Sequence, residues 1–173
     1  MPTAAQDDVT NEPRKENPSN LDARAIQLTR SGNFRDAAAV YTRLIDLYPD
    51  DVDLYIDLSR CRLELHEFQA AVDTARTAVK LAPENHAARN NLGWALVSLG
   101  RTENGIIELK RGIELQPAAE PIRTNLGLAY LKLGRDSDAI AELRAALAID
   151  PHSSRAKTAL AIAYQRAGWN VLA

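Results

Sequence analysis

The residues of this chain that could do acid–base, nucleophilic or metal chemistry are few, and their spacing assembles no site. The three histidines, His66, His86 and His152, fall at expected turns. His86 has only Glu84 close by, whereas a metal site needs three or four convergent ligands, so a solvated turn histidine is the expected role. No H-E-x-x-H, glycine-rich phosphate loop or G-x-S-x-G occurs. Cys61 is the only cysteine, which excludes an internal disulfide and a cysteine-based metal site. A nucleophilic thiol needs an adjacent base, and none lies near it in sequence. Beside Leu58 and Leu65 it reads as a small buried side chain on the inward side of a helix. The expectation is no enzyme and no cofactor.

What the chain has in place of reactive groups is a period. Pro49, Pro83, Pro117 and Pro151 stand 34 residues apart, and so do Gly100, Gly134 and Gly168, with Gly32 completing the row two periods before Gly100 and His66 between them. Leu92-Gly93 returns as Leu126-Gly127. The glycines suit a helix C-terminus that turns through the left-handed region, and each proline blocks continuation of the helix before it. Histidine at position 66 accepts positive φ at some cost. Each 34-residue unit therefore predicts a first helix of about fourteen residues, a glycine turn and a second helix ending before the proline.

Small residues recur where such helices must approach: Ala25, Ser59, Gly93, Gly127 and Ala161 in first helices, and Ala37, Ala71, Gly105 and Ala139 in second helices. Ile45, Val79, Ile113 and Leu147, together with Leu47, Leu81, Leu115 and Ile149, are expected on one apolar face. No segment alternates with period two, so the fold is all-α.

These residues carry a resemblance. The chain resembles the tetratricopeptide repeat family, whose pattern is W-x₂-L-G-x₂-Y, A-x₃-F and P. Leu126-Gly127, Tyr130, Ala139, Leu143 and Pro151 are the best match, with weaker copies through Tyr55, Leu58, Ala71 and Pro83 and through Ala37, Tyr41 and Pro49. The resemblance implies a right-handed α-solenoid of about four repeats and a C-terminal capping helix. The units are 18–51, 52–85, 86–119 and 120–153, with a partial unit at 154–168. Residues 1–17, polar and proline-bearing, read as a disordered tail, with Ser19 as the N-cap of the first helix. Residues 169–173 form a stub. The last helix, with Ala159, Ala161 and Ala163, and the stub, with Trp169 and Leu172, are expected to expose an apolar patch that could support a homo-oligomer.

The resemblance also implies that first helices line a concave groove that holds a peptide or helix segment of another protein. The groove residues would be Ile56, Arg60, Asn90, Asn91, Trp94, Asn125, Leu128 and Lys132, with Thr124, Val97, Leu131, Arg155 and Ile162 on the same stripe. Trp94 is either a partly exposed anchor or inter-helix filling. Asn91 and Asn125, one period apart, either grip a ligand backbone or are consensus residues. Acidic Asp22, Asp53 and Glu64 precede basic Lys132, Arg155 and Arg166, which would orient an acidic partner or is ordinary surface. Some relatives hold an acidic C-terminus with a lysine–asparagine clamp, which is absent from unit one (Asp22, Ile26) and unit three (Asn90, Trp94).

Charge bounds the partner. Twenty-one Lys and Arg against 23 Asp and Glu give a net charge of −2, without the basic excess of a nucleic-acid binder. With no signal-like run in the first 25 residues and no membrane-spanning stretch, a cytoplasmic scaffold or adaptor is expected. The alternatives are a repeat segment of a larger enzyme or of a secretion or pilus assembly system and, more remotely, an RNA-binding solenoid.

Overall fold

The structure, a computed structural model, describes residues 18–168. The tail and the stub, including Trp169 and Leu172, lie outside the described residues. Nine α-helices and no strand occur among the described residues: α1 Pro18–Arg30, α2 Phe34–Leu47, α3 Val52–Glu64, α4 Phe68–Leu81, α5 His86–Ser98, α6 Thr102–Leu115, α7 Glu120–Lys132, α8 Asp136–Ile149 and α9 Ser154–Arg166. The all-α expectation holds. Helix α1 begins at Pro18, so Ser19 lies inside it and is not its cap; proline with its preset φ is well placed at a first helical position.

The turns follow the register. Gly32, Gly100, Gly134 and Gly168 have φ between 73° and 90°, and His66 takes the same region at 59°. The His66 ring lies edge-on to Phe68 with centroids 5.6 Å apart, a contact that offsets part of the strain. Second helices end on non-helical residues, Tyr48, Ala82, Gln116 and Asp150, with ψ between 69° and 97°, each disfavoured in helical geometry by the following proline. First helices open on side-chain caps at Asp51, Asn85 and Ser153, whose oxygens accept from backbone N–H groups of the first turn. Ala119 breaks that row, and Pro121 stands in the first turn instead.

A further periodic device joins each repeat to the turn before it. The Tyr55 hydroxyl donates to the Pro49 carbonyl at 2.8 Å, the Arg89 Nε to Pro83 at 2.8 Å and the Arg123 Nε to Pro117 at 3.1 Å. Both arginines then reach the second helix of their own repeat, Arg89 to Glu108 at 2.7 Å and Arg123 to Glu142 at 2.9 Å.

The two late apolar rows do not share a face. Ile45, Val79, Ile113 and Leu147 pack against the core, while Leu47, Leu81 and Ile149 are 53%, 38% and 39% exposed. Positions two residues apart are separated by about 200° on a helix, so one row must face outward when the other faces in. The last helix also departs from expectation: Ala159 and Ala163 are buried and only Ala161 of the three alanines is exposed.

Consecutive helices pack as antiparallel neighbours throughout. Among first helices, α3 touches α5, α5 touches α7 and α7 touches α9. No pair of second helices approaches as closely among the described residues. The layer of first helices is therefore the inner, concave one.

Candidate functional site

The inner layer is stitched by bonds that step back about one period, four of them by one period plus one residue. Asn91 Nδ2 donates to the Ile56 carbonyl and to Ser59 Oγ, both at 2.9 Å. Asn125 Nδ2 donates to Asn90 Oδ1 at 2.8 Å, Lys132 Nζ to the Val97 carbonyl at 2.7 Å, and an Arg166 guanidinium N–H to the Leu131 carbonyl at 2.7 Å. Each bond joins one first helix to the preceding one. Asn91 thus commits both amide hydrogens to the fold and keeps Oδ1 as an acceptor. Asn125 is only 4% exposed, and its Oδ1 has no partner among the described residues. A buried, unpaired amide oxygen forgoes about 1–3 kcal/mol of hydrogen bonding.

Between α3, α5, α7 and α9 lies an open cleft of about 480 Å³. Arg60, Asn90, Asn91, Trp94 and Asn125 line it together with Leu63, Glu64 and Arg155. Leu128 lines an adjoining apolar cleft of about 390 Å³ with Thr158, Ala159, Ile162 and, again, Arg155. Ile56 contributes its carbonyl to the Asn91 bond, and Lys132 is tied to Val97. Three residues of the expected stripe, Val97, Thr124 and Leu131, are buried in the seams between first helices and are not part of an open floor, while Asn125, also buried, reaches the cleft only at its back. A stripe drawn at spacing three and four is wider than the groove, so its margin falls between helices.

Trp94 is half-buried, packed at its base against the core shared by α5 to α9. Over its ring, 4.9 Å from the centroid, lies the guanidinium of Arg155. The two residues are 61 positions apart, which is no multiple of the period, so no periodic reading pairs them. Arg155 makes no ion pair with a described residue; Glu64 and Glu120 face it without closing one, and burial pulls its pKa down from the usual guanidinium value against their opposing pull.

At the N-terminal end the inner layer changes character. Asp57 stands in register with Asn91 and Asn125. Burial pushes its carboxyl above the usual range, opposed by Arg60, which it meets at 2.7 Å, and by a hydrogen bond from Tyr41. A raised folded-state pKa means that the folded protein holds this proton more tightly than the unfolded chain does. Ionised Asp57 therefore costs stability at neutral pH, and the cost disappears as pH falls through the folded-state pKa. Asp57→Asn, which introduces the residue of the next two repeats, is expected to raise the melting temperature at pH 7. The gap to wild type should close as pH falls, since the lost Arg60 pair is half-exposed and weak. Thermal scans from about pH 7 to about pH 4 check this; a lower melting temperature for Asp57→Asn at pH 7 would contradict it.

Cys61 is fully buried with its Sγ 3.8 Å from Thr29 Oγ1, and burial pushes the thiol pKa up. That is the opposite of an activated nucleophile. No group of three or more His, Cys, Asp or Glu among the described residues could hold a metal ion, and none of their helices is long and apolar enough to cross a membrane.

Comparison with known proteins decides the family. Residues 28–79 and 108–163 match one description of the tetratricopeptide repeat, and 56–120 match a second. The chain is a tetratricopeptide repeat protein. Its array is similar to the crystal structure of TTC0263, a thermophilic tetratricopeptide repeat protein of Thermus thermophilus, with a TM-score of 0.81 and 26% identity over 88% of this chain and 84% of that one. MamA superposes with a TM-score of 0.70 at 22% identity, over 88% of this chain and 83% of MamA, a likeness of fold alone. Among curated proteins, the mouse (Mus musculus) tetratricopeptide repeat protein 33 is 33% identical over 86 residues, half of this chain and 33% of its own length. The SGT1 homologue of Oryza sativa subsp. japonica is 29% identical over 94 residues, 54% of this chain and 26% of its own length. The matched segments thus span about a quarter to a third of these relatives.

Proposed function

We propose that this array is a non-enzymatic scaffold or adaptor whose inner face, from α3 to α9, holds an extended segment of a partner protein in the cytoplasm. One observation carries the reading: Trp94, anchored in the core at its base, forms a wall of a cleft that also gathers the amides of Asn90 and Asn91. A rigid aromatic held in a concave, partly polar site is the kind of residue on which binding energy concentrates. Family membership supports a protein-interaction role in general, and a net charge of −2 disfavours RNA as the partner.

The test uses Trp169→Phe protein, in which Trp94 is the only tryptophan, and a phage-displayed library of short peptides. Selected peptides should shift Trp94 fluorescence, and Trp94→Ala should weaken them about 30-fold, the equivalent of about 2 kcal/mol. Circular dichroism must show the helices intact. A selection that yields no binder, or binders indifferent to Trp94→Ala, overturns the groove reading.

A second reading, that the array recruits substrates for a larger enzyme or an assembly system, draws support from relatives three to four times longer than the matched segment. It uses the same groove. Association of two copies through α9 draws support from Ile162, which is 44% exposed.

A further inference from the structure

We infer that the groove selects segments carrying one side-chain carboxylate beside a large apolar side chain, with Arg155 as the residue that reads the carboxylate. The inference rests on the groove reading above and narrows it to one class of ligand.

The arginines of the inner face and of the seams behind it are mostly committed. Arg60 holds Asp57, Arg89 holds Glu108, Arg123 holds Glu142, and Arg166 meets Asp136 at 3.1 Å. Arg155 has none of these ties. Its contact is with the face of the Trp94 ring. A cation over a ring is held by the charge–quadrupole attraction and spends none of its N–H donors on a hydrogen-bond acceptor, and those donors match the two oxygens of a carboxylate. The ring also holds the guanidinium in place, so little rotamer freedom remains to be lost when an acid binds.

Arg155 forms part of both clefts. On one side stand the amides of Asn90 and Asn91, with Oδ1 of Asn91 bonded to no described residue and the buried Oδ1 of Asn125 likewise unpaired. On the other stand Leu128, Ala159 and Ile162. A ligand carboxylate on Arg155 therefore places the neighbouring side chain in an apolar slot and its backbone along the amides. Glu64 and Glu120 set the limit. Both face Arg155, so a run of acids would meet two like charges, whereas a single carboxylate meets the one unpaired cation of the clefts among the described residues. The selectivity is for an isolated Asp or Glu next to Leu, Ile, Met or Phe.

The test repeats the phage selection with wild type, Arg155→Met and Arg155→Lys. Wild-type peptides should be enriched in one acidic residue close in sequence to a large apolar one. For a synthetic copy of a selected peptide, exchanging its acid for the amide should weaken wild-type binding about tenfold or more and Arg155→Met binding less than about twofold, with Arg155→Lys between them. This is a coupling that general damage to the array would not produce. Replacing the neighbouring apolar residue by serine should also weaken binding about tenfold. Peptides that depend on Trp94 but show no acidic preference, or an acid-to-amide loss of equal size in wild type and Arg155→Met, overturn the inference and leave the groove reading standing. Peptides that ignore both Trp94 and Arg155 overturn both.

Discussion

Gly105→Ala is expected to destabilise the array by about 2 kcal/mol, although alanine is the residue that the three other repeats use at that position. A Cβ at Gly105 would lie 2.6 Å from the Gly93 carbonyl oxygen and 2.6 Å from Val97 Cγ2. The first of these is backbone and cannot turn aside. Repeat three has glycine at both facing positions, 93 and 105, and its two helices have closed until peptide meets peptide. In repeat four, by contrast, the counterpart of Gly105 is Ala139, and the three atoms nearest to a Cβ at Gly127 all belong to the Leu143 side chain. Overpacking of a close helix pair costs about 1–3 kcal/mol or more, and the better helix propensity of alanine returns at most about 1. At about 2–4 °C per kcal/mol for a chain of this size, the melting temperature should fall by about 4–8 °C. Thermal denaturation followed by circular dichroism measures it. An unchanged or higher melting temperature would show that α5 and α6 can separate cheaply.

The second large effect is expected at Arg123. Arg123→Met keeps the aliphatic stem but removes the guanidinium from both Glu142 and the Pro117 carbonyl, in a pair whose side chains are 20% and 26% exposed. Losing one partner of a fully buried pair costs about 3–5 kcal/mol; with this residual exposure about 2 is expected. The equivalent change one repeat earlier, Arg89→Met, strikes a more buried pair, at 14% and 15%, yet should cost less. Glu108 keeps a second cation, Arg111, at 3.0 Å, whereas no other cation pairs with Glu142 among the described residues. Urea denaturation with unchanged slope should rank wild type, Arg89→Met and Arg123→Met in falling order. Adding Glu142→Leu to Arg123→Met should recover most of the loss. An Arg89→Met variant less stable than Arg123→Met would refute the compensation by Arg111.

The fold was legible because punctuation repeats. Four prolines and a row of turn residues on one period fix where helices stop and reverse, and small residues on the same period mark where they meet. Even His66, the exception in the glycine row, takes the backbone conformation that its place requires. The site was legible only in outline. Asn91 and Asn125 stand out by spacing, but their partners lie 32 to 35 residues back, and spacing does not reveal which end of an amide the fold consumes. Arg155 and Trp94 meet across α7 at a separation unrelated to the period, and no one-dimensional pattern contains that contact. The two late apolar rows part for a simpler reason: both recur every 34 residues, but only one is in phase with the inward face of its helix.

The bonds between successive first helices also have a mechanical meaning. All lie on the inner curve, so they act as ties in tension. Straightening the array must first stretch the Lys132 and Arg166 bonds to carbonyl oxygens, while tightening its curve strains none of them. The array should therefore resist opening more than closing. These ties run from α9 back to α3; between α1 and α3, Thr29 Oγ1 approaches Cys61 Sγ at 3.8 Å. Among the described residues α1 and α3 are also less closely packed than the later pairs of first helices, so the first repeat is the more compliant end of the array.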